Sequence, residues 1–520
     1  MDITPLIKNL LKTRLDNQED LAKFKRKTAK QSGLSVISNN TILRAYRQFI
    51  KSQGLPAKPK LLELLRLRKI RTLSGVAVVT VLTKPYHCPG KCIYCPSEAH
   101  MPKSYLSSEP AAQRAVLNKF DPRRQTKTRL DALKINGHPI DKIELIILGG
   151  TWSAYPRAYQ KQFVKRCFDA ANGRASKSLL AAQKLNEKTN NRIIGLTVET
   201  RPDEITPREI KWMRELGVTR VQIGVQTIDD KILKIIKRGH DTKTVIQATK
   251  LLKDAGLKIN YHLMPGLPNS TPLKDRQVFY SVFNDPKFKP DFIKLYPTLV
   301  LKNSILYKWW KQGKYKPYSA KQLMGLIPKL KKIVPRWVRI ERLIRDIPGP
   351  DIKAGSKLTN LRQVLQEQGV KCKCIRCREA RNSKVKLSQT KLFVEKYNAS
   401  GGTEYFISFE DKKHEKLYAF IRLRLPLNSS PEIIKFFPIL KDSALIRELH
   451  TYGQLIGLKK KVSRAGVQHL GFGKRLMKEA ERIARENGYK KIAVISGIGV
   501  REYYRKLGYK LQDTYMIKDI

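Results

Sequence analysis

The chain is organised around one stretch, Tyr86-His87-Cys88-Pro89-Gly90-Lys91-Cys92-Ile93-Tyr94-Cys95-Pro96. It places three cysteines in C-x3-C-x2-C spacing directly after an apolar, β-branched run over 76–83. Three thiolates at such short intervals can bind three corners of a cubane iron–sulfur cluster, because soft sulfur ligands suit iron–sulfur centres and zinc. The alternative is a zinc knuckle whose fourth ligand is His87 or His100. The preceding strand favours the cluster, whose fourth iron is then open to a small molecule.

This spacing resembles the signature of the radical S-adenosylmethionine (radical SAM) superfamily. The resemblance implies that Cys88, Cys92 and Cys95 ligate a [4Fe–4S] cluster. S-adenosylmethionine is the cofactor that uses the open iron of such a cluster for radical chemistry.

The charge of the chain is strongly one-sided, since 104 Lys and Arg against 44 Asp and Glu give a net charge of +60. A surplus of this size is the electrostatic footprint of a polyanion partner. Nucleic acid is the expected partner, because Lys and Arg gain affinity by releasing phosphate counterions. A basic proteome in a salty cell is the alternative explanation.

The location of the protein is predicted from its apolar runs and its cysteines. No apolar run approaches the roughly 18 residues of a membrane span, and residues 1–11 lack a signal-peptide pattern. The seven cysteines fall into two groups of three plus Cys167. That grouping indicates metal centres in a reducing compartment rather than disulfides. We therefore expect a cytoplasmic protein without membrane contact.

The pattern along the chain predicts four regions: a basic helical region over 1–71, strand–helix alternation over 72–340, a linker over 341–400 and a mixed α/β domain over 401–520. The alternation predicts a parallel sheet. Six units fall short of a closed eight-stranded barrel, so we predict an α/β fold with a partial (β/α)6 barrel.

The six strand candidates are 76–83, 142–149, 193–200, 220–226, 258–264 and 291–297. In such folds the chemistry lies at the carboxyl ends of the strands. Unusual residues stand there, among them the cysteines, Gly149-Gly150-Thr151, Glu199-Thr200-Arg201-Pro202-Asp203, Gly224-Val225-Gln226-Thr227 and Met264-Pro265-Gly266. Each alone is a weak signal, because Gly and Pro are common in loops. Together they predict a cofactor site.

A second group of cysteines, Cys372-Lys373-Cys374-Ile375-Arg376-Cys377, has C-x-C-x2-C spacing within the linker. Three thiolates this close fit three corners of a tetrahedral zinc site, although the fourth ligand is not evident. Free structural cysteines and a second iron–sulfur cluster are the alternatives. We predict a structural zinc ion that fixes the linker.

The last region begins with two β-rich segments over 405–409 and 417–423, which read as a hairpin. A further strand over 443–453 precedes Gln468-His469-Leu470-Gly471-Phe472-Gly473-Lys474, which opens a helix. Glycines before a helix amino terminus let backbone N–H groups face a pyrophosphate. With the later strand over 491–496 and the Tyr-rich helix over 500–509, this pattern resembles the Gcn5-related acetyltransferase (GNAT) fold. A nucleotide-phosphate loop is the alternative, but it lacks a Walker Lys-Ser pair.

Both halves together resemble the catalytic subunit family of the Elongator complex, which acetylates the wobble uridine of tRNA. The resemblance extends from about residue 72 and rests on motifs that include the first cysteine trio, Gly149-Gly150-Thr151, Glu199-Thr200-Arg201-Pro202-Asp203, Arg238-Gly239-His240, Tyr296-Pro297-Thr298-Leu299-Val300, Arg345-Asp346-Ile347-Pro348, Arg447-Glu448-Leu449-His450, Gln468–Gly473 and Val494-Ile495-Ser496-Gly497. The compact cysteine spacing resembles a bacterial or archaeal branch that works without the other Elongator subunits.

The resemblance implies a reaction and its site residues. A 5′-deoxyadenosyl radical would act on the acetyl group of acetyl-CoA, whose carbon adds to C5 of the wobble uridine, and thioester hydrolysis would leave a 5-carboxymethyl group. S-adenosylmethionine would lie near Gly149, Gly150, Gln226 and Met264. Acetyl-CoA contacts would come from Lys142, Glu448, Leu449, His450, Thr451, Phe472, Gly473, Lys474 and Tyr504.

Catalytic roles are implied for Lys142, Tyr503 and Tyr504. The two tyrosines would hold the thioester or protonate the leaving thiolate, because a tyrosine hydroxyl can act as a general acid. Ordinary packing against the preceding strand is the alternative for both.

The expected partner is the anticodon arm of tRNA, whose loop bases can be splayed into a pocket. The basic helices of 1–71 and the linker residues Lys371, Lys373, Arg376 and Arg378 would hold the phosphates. Trp309 or Trp310 would stack on a base, although at least one of the two should belong to the core. A homodimer is possible.

Three rival functions have different signatures. A protein-lysine acetyltransferase would not need S-adenosylmethionine, and its basic histone-type substrates match the charge of the chain poorly. An RNA-methylthiolating radical enzyme would need a second cluster on the C-x-C-x2-C group. A non-enzymatic RNA scaffold would not need both cofactor motifs.

Overall fold

The computed structural model describes residues 4–32, 36–66, 74–381, 385, 387–452 and 471–520. The first half of the predicted pyrophosphate loop, Gln468 to Leu470, lies outside these residues. The same is true of the basic residues Arg68, Lys69 and Arg71.

The described part of the first 66 residues forms helices, as the 3.6-residue spacing of its leucines predicts. The helices are α1 (Thr4–Lys12), α2 (Gln18–Ser32), α3 (Asn39–Ser52) and α4 (Pro59–Leu65). They bury their own small core, in which Leu10, Leu43 and Leu65 are at most 2% exposed. This bundle docks on the next part of the chain, because the Arg66 side chain donates to the Gly137 carbonyl at 3.0 Å.

Residues 74–381, which are described without a gap, alternate strands with helices. The strands are β1 (Ala77–Leu82), β2 (Lys142–Leu148), β3 (Arg192–Thr200), β4 (Arg220–Gln226), β5 (Lys258–Leu263), β6 (Phe292–Leu295), β7 (Val300–Leu301), β8 (Arg339–Arg342) and β9 (Ile352–Ala354). The helices are α5 (Pro110–Leu117), α6 (Pro122–Ile135), α7 (Arg157–Asn172), α8 (Leu179–Asn186), α9 (Pro207–Leu216), α10 (Asp230–Ile235), α11 (Thr242–Asp254), α12 (Pro272–Asn284), α13 (Ile305–Lys311), α14 (Ala320–Ile333), α15 (Leu361–Glu367) and α16 (Ile375–Arg378).

The main sheet has the order β1-β2-β3-β4-β5-β6-β8, and every neighbouring pair is parallel. The predicted partial barrel is therefore confirmed, and all six predicted strands are present within one or two residues. The seventh strand, β8, was missed because its sequence Arg-Ile-Glu-Arg is mostly charged and does not read as a buried strand. Cys167 is fully buried in α7, as its apolar helical setting predicts.

The described parts of the last region form a second sheet with helices on it. Its strands are β10 (Thr390–Ala399), β11 (Gly402–Asp411), β12 (Leu417–Pro426), β13 (Ser443–Thr451), β14 (Lys491–Val494), β15 (Lys510–Gln512) and β16 (Tyr515–Asp519), and its helices are α17 (Pro431–Phe436), α18 (Phe472–Glu486) and α19 (Arg501–Arg505). The order is β10-β11-β12-β13-β14-β16-β15, with β13 and β14 as its parallel pair. The predicted hairpin is the pair β11 and β12.

Two irregularities in β13 shape the functional region. It pairs with β14 only from Ser443 to Ile446, so its carboxyl half lies apart from that neighbour. Its pairing with β12 shifts by one residue, because Arg422 faces Glu448 and Leu423 faces Ile446. Arg447 is the extra residue of this bulge, and a bulge re-aims its side chain.

The re-aimed Arg447 side chain joins the two sheets. Its guanidinium contacts Asp291, at the start of β6, at 2.6 Å and Glu404 of β11 at 2.9 Å. Burial alone would raise the pKa of Asp291, but the cations of Arg447 and Arg422 outweigh it and hold that pKa well below its ordinary value. The carboxylate therefore stays ionised inside the interface.

A second buried pair lies beside the first. Arg424 of β12 binds Asp254, at the end of α11, at 2.6 Å, and both side chains are fully buried. The two sheets are therefore joined by buried ion pairs between fully enclosed side chains. Among the described residues, no helix is both long and apolar enough to cross a membrane.

We expect Arg447→Met to destabilise the joint between the two sheets. It would leave Asp291 and Glu404 buried without their cation, which costs about 3–5 kcal/mol. Guanidinium-chloride unfolding followed by circular dichroism measures the loss. Arg482→Met is the matched control, because Arg482 makes exposed ion pairs on α18 and should leave unfolding nearly unchanged. Equal unfolding midpoints for the two variants would contradict the assignment.

Candidate active site: one cavity between two cofactor motifs

The first cysteine trio lies on the loop that follows β1. Ile93, in the middle of this loop, is fully buried and donates its amide to the Ile236 carbonyl at 3.1 Å. Its own carbonyl accepts from the Leu306 amide at 2.8 Å. The loop after β4 and helix α13 therefore hold the cysteines at the carboxyl ends of the strands.

Polar groups around the trio fit an anionic cluster. Arg238 contacts the Cys92 sulfur through Nη1 at 3.4 Å, and Thr151 contacts the Cys88 sulfur at 3.4 Å. The Nη1 atom of Arg201 is buried without a hydrogen-bond partner, and it lies where a side chain on Gly90 would be. A buried guanidinium nitrogen without an acceptor is costly, and a negatively charged group in this loop would satisfy it.

The residues predicted for S-adenosylmethionine divide into two sets. Gln226 and Met264 line a large cavity below the cysteine loop. Gly149 and Gly150 are not among the lining residues, and both have positive φ angles, +143° and +90°. A side chain on Gly149 would overlap Thr83, so this glycine allows β1 and β2 to meet closely at their ends.

The cavity has a volume of about 1390 Å³ and is lined by residues of both sheets. Lys142 and Leu148, at the two ends of β2, both belong to its wall. Six residue steps along a strand correspond to about 20 Å. The cavity therefore runs the length of the half-barrel, from the cysteine loop to the second sheet.

The residues predicted for acetyl-CoA line the opposite end of this cavity, with one exception. They are Lys142, Glu448, Leu449, His450, Thr451, Gly473, Lys474 and Tyr504, and Tyr503, predicted as catalytic, lines the same end. The exception is Phe472, which is 1% exposed and packs on Phe409 with ring centroids 4.7 Å apart. As the first residue on the apolar face of α18, Phe472 has its side chain in the core, and a ligand would meet its backbone.

Two of these residues are also tied to structural partners. Glu448 pairs with Arg422 at 2.8 Å. The ring of His450 lies 2.8 Å from the Ser74 carbonyl, and burial lowers its pKa. Both side chains thus fix the carboxyl half of β13, which does not pair with β14, against its surroundings.

Tyr503 and Tyr504 lie in α19, with their rings 5.3 Å apart and nearly perpendicular. Burial raises the pKa of Tyr503 to about 12 and the pKa of Tyr504 further. Both hydroxyls therefore remain protonated near neutral pH and can donate a hydrogen bond. A side chain on Gly473, at the start of α18, would lie 2.9 Å from the Tyr503 hydroxyl.

Sequence reasoning missed a charged belt in the middle of the cavity. Arg220 of β4 binds Glu144 of β2 at 2.5 Å and Glu341 of β8 at 2.6 Å. Lys294 of β6 lies beside the belt, and burial lowers its pKa to about 8. The signal was present, because these polar residues interrupt strands that are otherwise apolar, which is unusual in buried parallel sheets.

The second cysteine trio forms a compact group. The sulfurs of Cys372, Cys374 and Cys377 all lie within 4.8 Å of one another, and in the described part of the chain no fourth His, Cys, Asp or Glu joins them. Ligand sulfurs of a tetrahedral zinc ion stand about 3.8 Å apart for Zn–S bonds of about 2.3 Å. The first trio forms no such group among the described residues, as expected for thiolates on separate irons of a cluster.

The residues predicted to hold phosphates differ in exposure. Lys371 and Lys373 are exposed, and Arg376 is half-buried in the cavity wall. The prediction for Arg378 was wrong, because this side chain is buried in an ion pair with Glu410. Trp309 and Trp310 are both partly buried against the group of apolar side chains that includes Ile93 of the cysteine loop.

Comparison with known proteins supports both halves. The Radical SAM superfamily model matches residues 83–277, the Radical_SAM C-terminal domain 290–369, and the acetyltransferase (GNAT) family 462–509. A tRNA uridine(34) acetyltransferase of Methanocaldococcus infernus is 47% identical over 89% of both chains. The chain belongs to the Elongator complex protein 3 family. Human Elongator complex protein 3 is 39% identical over the whole of this chain and 96% of its own.

A bacterial relative and a solved structure agree with this assignment. A tRNA uridine(34) acetyltransferase of Dehalococcoides mccartyi is 46% identical over 86% of this chain and 99% of its own. The solved archaeal Methanocaldococcus infernus Elp3 with an N-terminal deletion superposes with a TM-score of 0.74 at 44% identity, covering 86% of this chain and all of that one. The predicted family, fold class and enzymatic nature are confirmed. Family membership implies a [4Fe–4S] cluster, S-adenosylmethionine and acetyl-CoA.

We expect Gly473→Ala to weaken acetyl-CoA binding roughly tenfold, or about 1.4 kcal/mol. The added methyl group would displace the Tyr503 hydroxyl and crowd the backbone at the start of α18. Isothermal titration calorimetry measures the affinity. Gly325→Ala, within α14 and with nothing near the added atom, is the control. Wild-type affinity in a folded Gly473→Ala protein would show that acetyl-CoA binds elsewhere.

Proposed function

We propose that this chain is a tRNA uridine(34) acetyltransferase that builds a 5-carboxymethyl group on the wobble uridine from acetyl-CoA. One observation carries the proposal: residues of the radical SAM motif and of the acetyltransferase motif line the same cavity. Two independent activities would not require that residues of both motifs line one cavity. The names of the archaeal and bacterial relatives support the same substrate.

The chemistry explains why both motifs are needed. Carbon C5 of uracil and the methyl carbon of an acetyl thioester do not combine by ordinary acid–base steps at neutral pH. The bound [4Fe–4S] cluster and S-adenosylmethionine supply a carbon-centred radical. Cys88, Cys92 and Cys95 would ligate the cluster, and Gln226 and Met264 would contact S-adenosylmethionine.

The residues at the far end of the cavity would hold and open the thioester. Lys142 would place a cation beside the acetyl-CoA, and the hydroxyls of Tyr503 and Tyr504 would hold the thioester by donating hydrogen bonds, since burial keeps both hydroxyls protonated. The carboxyl half of β13, which does not pair with β14, leaves room for the extended chain that carries the acyl group. The belt around Arg220 would orient the acyl group between the two ends.

The tRNA would be held by the basic surface. We propose that 1–71 is a tRNA-binding region, 72–340 the radical SAM domain, 341–400 the metal-bearing linker and 401–520 the acetyltransferase domain. Exposed Lys371 and Lys373 would contact phosphates, and the net charge of +60 supports a polyanionic substrate. A cytoplasmic location and action without other Elongator subunits follow from this proposal. A homodimer remains a prediction.

The linker trio would bind a structural zinc ion. Cys374 stands directly before α16, and hydrogen bonds from Cys372 and Cys377 lower its pKa, which favours a thiolate. Ile375 and Arg376 of α16 lie in the cavity wall. Zinc would therefore fix part of that wall.

We expect Cys92→Ala to abolish formation of 5-carboxymethyluridine. The enzyme would be incubated anaerobically with tRNA, S-adenosylmethionine, reductant and acetyl-CoA, and the nucleosides analysed by mass spectrometry. Cys167→Ala, which removes a buried cysteine outside the cavity, is the matched control and should retain activity. Product from Cys92→Ala would exclude the radical role. Acetylated protein lysines without nucleoside product in the wild type would favour the rival acetyltransferase.

Metal analysis separates the two cysteine trios. We expect about four irons and about one zinc per reconstituted chain. Cys88→Ala should lose iron and keep zinc, whereas Cys374→Ala should lose zinc and keep iron. Both are measured by plasma mass spectrometry. About eight irons in the wild type would instead assign a second cluster to the linker.

A further inference from the structure

Three tyrosines form a continuous stack on the outer side of the cluster loop. Tyr86 lies on Tyr155 with ring centroids 4.8 Å apart and an interplanar angle of 28°. Tyr155 lies on Tyr159 at 5.2 Å and 21°. Only the outermost ring is substantially open to solvent, since Tyr86 is 42% exposed and Tyr155 is 4% exposed.

The inner rings are held rigidly. The Tyr155 hydroxyl lies 2.7 Å from the Thr83 hydroxyl and 2.8 Å from the Lys84 carbonyl. The Tyr159 hydroxyl accepts from the Lys84 amide at 3.0 Å. Tyr86 is therefore supported from below by a fixed aromatic surface, and its ring is an ordered platform rather than a loose side chain.

The surroundings of this platform are cationic. Lys84 and Lys91 are both exposed within the same loop, and the Lys84 ammonium lies 5.1 Å from the centre of the Tyr159 ring. Aromatic rings beside cationic side chains are the combination with which proteins bind single-stranded nucleic acid. The cations select a partner that carries both flat rings and negative charge.

We propose that Tyr86 is a stacking platform for an unpaired base of the RNA substrate, next to the base that enters the radical end of the cavity. Tyr86 stands two residues before Cys88, on the same loop as the three cysteines, and Tyr94 and Pro96 of that loop line the radical end of the cavity. A base drawn into a pocket loses its stacking on its neighbours. An aromatic surface at the rim replaces part of that stacking, and the nearby lysines bind the flanking phosphates. The proposal rests on the proposed tRNA substrate.

Binding of an anticodon stem–loop RNA, measured by fluorescence anisotropy with reconstituted full-length enzyme, tests this role. Tyr86→Ala should weaken binding by about tenfold, within the range for loss of one base–aromatic stack. Tyr86→Phe keeps the ring and should bind within about twofold of the wild type. Tyr280→Ala, which removes an even more exposed tyrosine from α12, should leave affinity unchanged.

The salt dependence of RNA binding and the fluorescence of a base analogue separate the contribution of the Tyr86 ring from that of the nearby cations. Tyr86→Ala should leave the slope of log affinity against log salt unchanged, whereas Lys91→Gln should reduce it by about 0.7, the value for one single-strand phosphate contact. With 2-aminopurine beside the wobble position, wild type and Tyr86→Phe should quench the fluorescence through stacking, and Tyr86→Ala should not.

Several results would overturn the platform. Wild-type affinity in Tyr86→Ala would do so, as would equal losses in Tyr86→Phe and Tyr86→Ala, which would assign the effect to the hydroxyl. Iron content and RNA-independent 5′-deoxyadenosine formation are measured in each variant. A loss confined to these two readouts would show that Tyr86 serves the cluster loop instead. Failure of the wild type to modify tRNA would refute the proposed function itself, independently of these comparisons.

Discussion

The buried ion pair between Arg447 and Asp291 is the contact on which the arrangement of the two sheets depends. It exists because a bulge in β13 turns Arg447 out of its own sheet and toward β6. A buried pair of this kind contributes little net stability against apolar packing, but removing one partner is expensive. The joint therefore tolerates little variation in geometry, and it fixes where one cofactor end stands relative to the other.

That fixed geometry gives the cavity its form. The half-barrel supplies a concave wall along its strands, and β13 supplies the opposite end where it leaves β14. The two cysteine trios have different positions relative to this cavity. The first lies at the strand ends, where parallel sheets place their chemistry, and the second lies on a linker whose short helix completes the wall.

Much of the fold and of the candidate site could be predicted from the sequence, because strong local sequence patterns correspond to the observed strands and helices. Strand β4 was predicted to the residue, since Val221, Ile223 and Val225 alternate with polar residues or Gly between two turns, which is the period of a strand. Strand β8 was missed because its residues are stabilised by tertiary partners, with Glu341 bound to Arg220 across the sheet. Arg378 was misjudged for the same reason: a charged residue in a basic stretch shows its chemistry, but its burial depends on a partner distant in sequence, here Glu410.

The separation of β13 from β14 has a consequence for which nucleophiles can reach the thioester. The carboxyl half of β13 shares the cavity wall with Val76, directly before β1, and Glu144 of β2, so the gap between β13 and β14 opens toward the half-barrel. An acyl group bound at this end, as proposed, would therefore face the half-barrel. A nucleophile held in the half-barrel would then be the nearest acceptor, and the second sheet would act as a donor to its neighbour.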